Sequence, residues 1–490
     1  GNFLPLDPAR VQTIAVLGPY AHPAVFGGGG SSYTPPHRSI SLLDGTRAVA
    51  PGLQVLHAAG PDPNPQHGVF AASSFSSQHG AGLWGEYFNN GNLEGAPLVS
   101  RVDDHVDFAW GVRAPADGIT EARFSVRWSG SLRPSQSGKH VFHSRSHDSE
   151  YRIWVDGRVL IDNWTSVQNG PHRAELELVA GRDYAVRIEY RKTRFFSGMQ
   201  FGWHWSDGGA KEIAECVALA RRADVAIVTA GWDNVSEAEG FDREFAMSPE
   251  IESLVAAVAT AQPNTVVVLT AGGNLDMSRF IERVPAVLHA FYPGESGGQA
   301  LAEIIFGKVN PSGRLPATFE KRAEDRSSYG SYHDSDNDRR VALEDGIFTG
   351  YRHFDRSGIE PRFAFGFGLS YTSFRYSGLE LSERRLRAGQ SVEVSVDVSN
   401  VGGRAGGEVV QVYVRDVASR LPRPYKELKG FARVELERGE TRRARIVLGA
   451  DAFEYYDPDQ KRWVREPGEF EILVGASATD IRERAMLALV

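Results

Sequence analysis

The densest group of residues able to do acid–base chemistry in this 490-residue sequence lies between Ser236 and Arg243. Glu237, Glu239, Asp242 and Arg243 place three carboxylates and one guanidinium within seven positions, beside a glycine. A carboxyl group can exchange a proton with a substrate when burial or a neighbouring carboxylate raises its pKa, whereas an arginine lowers it. The stretch is therefore the first candidate for a general acid/base site.

The segments on either side of this stretch indicate where it lies in the fold. An apolar run over residues 223–231 closes on Gly231 and predicts a buried strand, and Ser248 with Pro249 predicts the start of a helix. The charged loop would then leave the C-terminal end of a strand, where open α/β sheets bind ligands. Glu237 and Glu239 are two positions apart, so an extended loop would point both side chains the same way. Either carboxylate is therefore a candidate.

Composition limits the classes of protein to consider. Hydrophobic residues make up 41% and charged residues 24%, as in globular proteins, and the length suggests roughly three domains. A net charge of −8 argues against nucleic-acid binding. Apolar runs stay shorter than the ~18 residues of a membrane span, and residues 1–6 lack the pattern of a signal peptide. The single cysteine, Cys216, excludes an intramolecular disulfide and is expected in a helix core.

Changes of periodicity divide the chain into four segments. Residues 1–81 begin a β-α-β pattern, residues 82–206 are rich in alternating aromatic strands, residues 207–374 resume the α/β alternation, and residues 375–490 contain short strands with glycine-rich turns. The predicted fold is multidomain α/β plus β. It consists of an α/β sandwich with a mostly parallel sheet, an all-β domain inserted into it, and a C-terminal β-sandwich.

Other patterns suggest chemistry less strongly. Glycines 27–30 follow the first strand but lack the lysine of a phosphate loop, so a tight packing loop is predicted. Ser296 has the Gly-x-Ser-x-Gly spacing of a hydrolase nucleophile, without a convincing Asp and His to follow; a serine hydrolase is a minor alternative. His143 and His147 are four positions apart but in a strand context, which disfavours zinc.

Five ordered motifs resemble the C-terminal two-thirds of family 3 glycoside hydrolases, the β-glucosidase family. They occupy residues 14–19 with the glycines that follow, 239–243, 293–298, 310–316 and 365–371. Residues 84–88 and 153–157 resemble the protective-antigen-like carbohydrate-binding domain that some members carry as an insertion. The last segment is similar to that family's fibronectin type III-like domain.

The resemblance implies roles for individual residues. Glu239 matches the general acid/base of the family, with Glu237 as its rival. Asp242 and Arg243 are expected to form an ion pair that braces the loop, with a supporting role at the site also considered. Arg194, Phe195 and Phe196 offer one cation and two aromatic rings suited to stacking on sugars at the leaving-group side of the cleft, although core packing is the commoner role of each ring alone.

One departure from the family pattern shapes the functional hypothesis. The family places a (β/α)8 barrel before this region, and a Ser-Asp-Trp motif there supplies the nucleophile; no Ser-Asp-Trp occurs in this sequence. Residues 2–6 resemble the segment that joins barrel to sandwich. The resemblance therefore implies that the nucleophile lies in a missing barrel domain or chain, and that this chain alone is inactive. The alternative is a non-catalytic carbohydrate-binding or assembly fragment.

The expected partners follow from the same resemblance. They are an oligosaccharide or glycoside substrate with a terminal non-reducing β-linked sugar, and the missing barrel domain or chain. A homodimer is also considered. No cofactor and no metal are predicted, because residues 146–149 read Ser-His-Asp-Ser where related modules have an Asp-Asp pair for calcium. A periplasmic or secreted location is favoured over a cytoplasmic one.

Overall fold

The chain begins with part of an α/β layer. The computed structural model describes residues 3–63, 74–120, 122–146, 149–164, 170–192, 195–239, 243–332, 340–387 and 389–490. Strand β1 spans Thr13–Leu17, helix α1 spans Leu42–Val49 and strand β2 spans Gln54–Ala58. Ser41 caps α1 by accepting the N–H of Asp44 at 3.1 Å. This is the predicted β-α-β start.

The inserted segment is all-β. Its strands are β3 Ser76–Ser77, β4 Gly80–Ala81, β5 Leu83–Phe88, β6 Val99–Asp103, β7 Val106–Gly111, β8 Ser125–Leu132, β9 Gly138–Ser146, β10 Ser149–Val155, β11 Arg158–Asn163, β12 Gly170–Leu178, β13 Tyr184–Lys192 and β14 Ser197–Trp205. One sheet has the order β11-β10-β13-β8-β3-β4, with β5 paired to β8 and β6, and the other has the order β12-β9-β14-β7. Alternate residues such as Tyr151, Ile153 and Val155 point into one aromatic core. We call this segment the β module.

The α/β layer resumes after the β module. Its elements are α2 Ala210–Ala220, β15 Val225–Gly231, α3 Pro249–Ala261, β16 Thr265–Thr270, β17 Ala286–His289, α4 Gly297–Ile305 and the short α5 Tyr351–Ser357. The five strands of the layer pair in the order β17-β16-β15-β1-β2, all parallel. Ala226 and Val228 face one buried core and Val225 and Ile227 face another, so β15 is apolar throughout.

The C-terminal segment is a β-sandwich. Its strands are β18 Phe374–Leu381, β19 Arg385–Leu386, β20 Val392–Asn400, β21 Gly406–Asp416, β22 Glu427–Leu436, β23 Thr441–Leu448, β24 Tyr455–Asp457, β25 Arg462–Val464, β26 Gly468–Gly475 and β27 Ile481–Leu489. Sheets β18-β20-β23 and β19-β27-β26-β21-β22 enclose a core rich in valine and leucine, and β24 and β25 form a separate hairpin. The predicted fold class is confirmed.

The segment boundaries at residues 81, 206 and 374 stay predictions. Strands β3 and β4, which precede residue 82, pair within one sheet of the β module. Arg173 of the β module pairs with Glu250 in the first turn of α3 at 2.6 Å. Arg314, beyond the parallel sheet, pairs with Glu408 on β21 at 2.7 Å. These ion pairs connect the α/β layer to both β units. None of the helices in the described ranges is long and apolar enough to cross a membrane.

Candidate active site

The charged loop follows β15 at the C-terminal edge of the parallel sheet, as the sequence predicted. We call residues 232–243 the carboxylate loop; residues 240–242 lie outside the described ranges. Asp233 opens it with an Asx turn, in which its Oδ1 accepts the N–H groups of Val235 and Ser236 at 3.0 Å each. The N–H of Glu237 then donates to the carbonyl of Asp233 at 2.9 Å. This turn brings Glu237 back over the sheet edge.

Glu237 is held on both of its carboxylate oxygens. Its Oε1 accepts Nε of Arg243 at 2.5 Å, and its Oε2 accepts the Gly272 N–H and the Tyr292 hydroxyl, each at 2.5 Å. The side chains of Glu237 and Arg243 are only 19% and 14% exposed. We call Glu237, Arg243, Gly272 and Tyr292 the Glu237 brace. Glu237 is therefore a paired internal charge.

Electrostatics in the Glu237 brace favour the ionised carboxylate. Burial acts to raise the pKa of Glu237, but the Arg243 charge and the hydrogen bonds from Tyr292 and Gly272 outweigh it and hold that pKa below its ordinary value. Burial and the adjacent Glu237 carboxylate raise the pKa of Tyr292, so its hydroxyl stays a donor. A group that is ionised and fully paired is a poor proton donor. Glu237 fits a structural counter-ion better than a general acid.

Arg243 fills the bracing role predicted for it, but with a different described partner. Its guanidinium lies over the Trp232 ring at 4.1 Å and donates to the Asn274 carbonyl at 2.8 Å, besides pairing with Glu237. The partner predicted from the sequence, Asp242, lies outside the described residues. The ion pair seen in the structure therefore joins the middle of the carboxylate loop to its end, and the contact with Trp232 joins its two ends.

Glu239 has a different environment from Glu237. Its side chain is exposed, and its Oε2 accepts the N–H of Ser31 at 3.0 Å. Hydrogen bonding by the Ser31 hydroxyl and N–H lowers the pKa of Glu239. Among the described residues Glu239 forms no ion pair. The carboxylate is accessible from outside the α/β layer, so it is available to a molecule that approaches this edge.

The remaining sequence candidates, Arg194, Phe195 and Phe196, come before β14 in the β module. Arg194 falls outside the described residues. Phe195 and Phe196 are 70% and 49% exposed before β14 and contact each other edge to face at 4.9 Å. Among the described residues, no aromatic or cation–π contact joins either ring to the carboxylate loop.

Two alternative chemistries find little support in the described part of the chain. Ser296 is exposed at the start of α4, and no described histidine is hydrogen-bonded to its hydroxyl. In the described ranges no three His, Cys, Asp or Glu side chains are arranged to hold a metal ion, and His147 and Asp148 lie outside those ranges. Cys216 is buried in the core of the α/β layer, as expected.

Sequence reasoning missed three contributors to the site. Gly272 and Tyr292 belong to none of the five motifs, although both lie after parallel strands whose ends meet at one edge. Ser31, in the turn after the glycines, was also missed. The strand ends in the sequence indicate which segments lie near the site. Which residues bind Glu237 and Glu239 there depends on the tertiary fold.

The fold and site define a class: a multidomain α/β and β protein with an accessible carboxylate at the edge of its parallel sheet. Comparison with known families extends this. Residues 1–371 match the glycosyl hydrolase family 3 C-terminal domain, and residues 408–478 match the fibronectin type III-like domain. The chain belongs to glycosyl hydrolase family 3.

Individual relatives agree with the family match. A β-glucosidase from Rhizobium radiobacter is 35% identical over 509 residues, which cover 100% of this chain and 60% of the relative. The structure of a β-glucosidase from Kluyveromyces marxianus in complex with glucose is 27% identical with a TM-score of 0.68, covering 100% of this chain and 60% of that one. The β-glucosidase DesR from Streptomyces venezuelae, in complex with D-glucose, is also 27% identical, with a TM-score of 0.72 over 100% of this chain and 58% of that chain. The chain thus spans about 60% of the length of such relatives.

Proposed function

We propose that this chain is part of a retaining, exo-acting β-glycosidase, best matched by a β-glucosidase, and that it supplies the general acid/base Glu239. The observation that carries the proposal is the contrast between the two candidate carboxylates. Glu237 is paired on both oxygens inside the Glu237 brace, whereas Glu239 is exposed at the edge of the sheet. The family relationship and the β-glucosidase names of the relatives support the glycosidase activity.

Retaining hydrolysis needs two carboxyl groups about 5 to 5.5 Å apart. In the first step Glu239, protonated, gives its proton to the glycosidic oxygen while a nucleophilic carboxylate attacks the anomeric carbon and the leaving group departs. In the second step ionised Glu239 takes a proton from water, whose oxygen displaces the nucleophile. Glu237 is committed to Arg243, so we propose that the nucleophile is an aspartate of a (β/α)8 barrel outside this chain.

The protonation state of Glu239 is consistent with an incomplete site. Hydrogen bonding by Ser31 lowers the pKa of the exposed carboxyl, whereas a general acid needs a raised pKa. Covering Glu239 with a second protein surface and a sugar would remove water and raise that pKa. We therefore propose that the chain alone does not turn over glycosides.

The leaving-group side of the substrate is the part for which this chain offers contacts. Phe195 and Phe196 expose two rings at one end of the β module. Aromatic rings of this kind pack on the apolar faces of sugars because they bury surface without needing hydrogen-bond partners. Together with Arg194, which precedes them in the sequence, they are proposed to contact the aglycone of an oligosaccharide or glycoside.

The test replaces Glu239 in the protein that also contains the barrel. Glu239→Ala should slow hydrolysis of alkyl glycosides by roughly 10²- to 10⁴-fold, the usual contribution of a positioned proton donor. Aryl glycosides with acidic leaving groups should lose less in the glycosylation step, and azide should restore their turnover by replacing water. Glu237→Gln is the matched control. It should slow hydrolysis of both kinds of glycoside to a similar extent, and azide should not rescue it. Equal losses for Glu239→Ala on both substrates, without rescue, would reject the acid/base role.

A second candidate is a non-catalytic carbohydrate-binding or assembly fragment. The observation in its favour is that the carboxylate loop offers a single accessible described carboxylate, Glu239. An assay of the isolated chain with an activated aryl glycoside tests where the nucleophile lies. Turnover by the isolated chain would contradict the proposal that the nucleophile lies in another domain.

A further inference from the structure

The glycines that follow β1 form a closed loop against the carboxylate loop. We call residues 27–32 the glycine loop. Its ends are drawn together by the rings of Phe26 and Tyr33, whose centroids are 5.8 Å apart. The N–H of Tyr33 donates to the Gly30 carbonyl at 3.1 Å, and the Phe26 carbonyl accepts the N–H of Gly294 at 3.0 Å. The glycine loop is thus closed by a hydrogen bond at its Tyr33 end and anchored to Gly294 at its Phe26 end.

Three hydrogen bonds join this loop to Glu239 and its neighbours. The N–H of Gly29 donates to the Glu237 carbonyl at 2.9 Å, and the Gly29 carbonyl accepts the N–H of Glu239 at 3.3 Å, which makes a short parallel bridge. The N–H of Ser31 then donates to the Glu239 carboxylate at 3.0 Å. Glu239 is therefore held by its backbone and by its side chain from the same loop.

Only glycine allows this approach at two of the positions. A Cβ at Gly29 would collide with the carbonyl oxygen of Asn234. Gly30 has a φ of +79°, and a Cβ there would lie 2.6 Å from the Cβ of Glu239. At Gly27 a Cβ would meet nothing within 4 Å. The prediction that these glycines form a packing loop is confirmed, and the structure specifies that the loop packs on the Glu239 segment.

We propose that the backbone of Gly29, Gly30 and Ser31 is the positioning element of Glu239, fixing the carboxylate through the Ser31 N–H while the Gly29 bridge fixes its main chain. The catalytic part of this inference rests on the proposed function of Glu239. A backbone N–H can only donate, so it stabilises the carboxylate form. That form accepts the proton from water in the second step, while the new bond to the anomeric carbon forms and the bond to the nucleophile breaks.

Two sets of residues hold the carboxylate loop in place. The Glu237 brace fixes the carboxylate loop to the parallel sheet through Gly272 and Tyr292. The glycine loop fixes the next two residues from the other side. A misplacement of about 1 Å at a reacting group can cost roughly hundredfold in rate. Small changes at Gly29, Gly30 or Ser31 should therefore affect catalysis although none of these residues reacts.

The first test measures the titration of Glu239 in the isolated chain, by carbon-13 NMR of the labelled carboxyl group with Glu239→Gln for assignment. Ser31→Ala removes the hydroxyl and keeps the N–H; Ser31→Pro removes both. We expect the pKa of Glu239 to rise in Ser31→Ala and to rise further, towards its ordinary value, in Ser31→Pro. The same pKa in both variants would overturn the role of the Ser31 N–H.

The second test uses glycine variants in the protein that includes the barrel, because Ser31→Pro can also distort the loop. Gly30→Ala should lower kcat roughly ten- to hundredfold with little change in KM, since it displaces Glu239 and leaves the sugar contacts elsewhere intact. Gly27→Ala, the matched control, should stay within about twofold of the parent. Equal losses in the two variants, or none in Gly30→Ala, would overturn the proposal.

The two tests separate this inference from the proposed function. If Glu239→Ala leaves hydrolysis unimpaired, the acid/base role fails, while the NMR titration still reports whether Ser31 binds the carboxylate. If the pKa of Glu239 is the same in Ser31→Pro as in Ser31→Ala, the positioning role fails whatever Glu239 does in catalysis.

Discussion

Replacing Glu237 with glutamine separates its structural role from a catalytic one. The substitution keeps the shape and one carbonyl oxygen but removes the charge that faces Arg243 at 2.5 Å. Both side chains are largely buried, so Arg243 would be left without its counter-ion. Removing one partner of a buried pair costs about 3 to 5 kcal/mol, and the partial exposure of this pair places it near the lower value, about 3 kcal/mol.

This cost should appear as local opening of the carboxylate loop. At about 1.4 kcal/mol per tenfold change, about 3 kcal/mol corresponds to roughly hundredfold faster hydrogen exchange at the amides that depend on the brace. The amides of Gly29 and Glu239 report it, since both take part in the bridge between the two loops. Native-state exchange is the appropriate assay, because a multidomain chain does not unfold in one step.

A double-mutant cycle gives the refutation. In Glu237→Gln with Arg243→Gln the unpaired charge is gone, so exchange should return most of the way towards the parent rate. If the two substitutions simply add, the ion pair does not brace the loop and the reasoning is wrong.

The contribution of Glu237 to the stability of the carboxylate loop should depend on pH. The pKa of Glu237 is depressed in the folded chain, so its contribution to stability is fully present above the ordinary pKa of a glutamate and is lost as the pH falls through the folded value. Glu237→Gln should lack that loss on acidification. Amide exchange in the parent and the variant should therefore converge at acid pH.

Two further predictions concern the β units. His143 is 4% exposed on β9, stacked on His204, and burial, followed by the charges of His204 and Arg173, lowers its pKa to about 3. The unfolded chain binds a proton at this histidine near pH 6.5 and the folded chain does not, so the β module should lose about 2 kcal/mol of stability between pH 7 and pH 5, and His143→Phe should not. Denaturant titrations at several pH values measure this, with the exposed His105→Phe as control. Equal pH slopes for the parent and His143→Phe would contradict the prediction. Arg314→Met leaves Glu408 buried without its ion-pair partner and should destabilise the contact with the terminal sandwich by about 3 kcal/mol, which a lower melting temperature would show. The double variant Arg314→Met with Glu408→Gln should recover most of this loss. No recovery would refute the pairing.

Much of the fold could be read from local patterns. The run from Val225 to Gly231 is apolar at successive positions because a central parallel strand is covered on both faces. The alternation from Tyr151 to Val155 reflects a strand with one buried face. Ser248 and Pro249 start α3 through a cap that involves only its first turn. Each of these features depends on residues that are neighbours in sequence.

The site was predicted only in part. The position of the carboxylate loop at a strand end, and Glu239 and Glu237 as its candidate carboxylates, followed from the sequence and the resemblance, and the catalytic assignment stays a prediction. The sequence left the two carboxylates as rivals. Their different surroundings became apparent from the structure, which largely buries the Glu237 side chain and exposes Glu239.

The sequence by itself determined which segments form strands, helices and loops, because capping, turn chemistry and hydrophobic periodicity act over a few residues. The tertiary structure alone decided what each carboxylate binds. Tyr292 lies 55 residues beyond Glu237, and Ser31 lies 208 residues before Glu239. Such contacts arise where parallel strands bring their ends to one edge, and no local pattern encodes which side chains meet there. For this reason a charged loop could be found in the sequence, whereas the distinction between its brace and its accessible carboxylate required the fold.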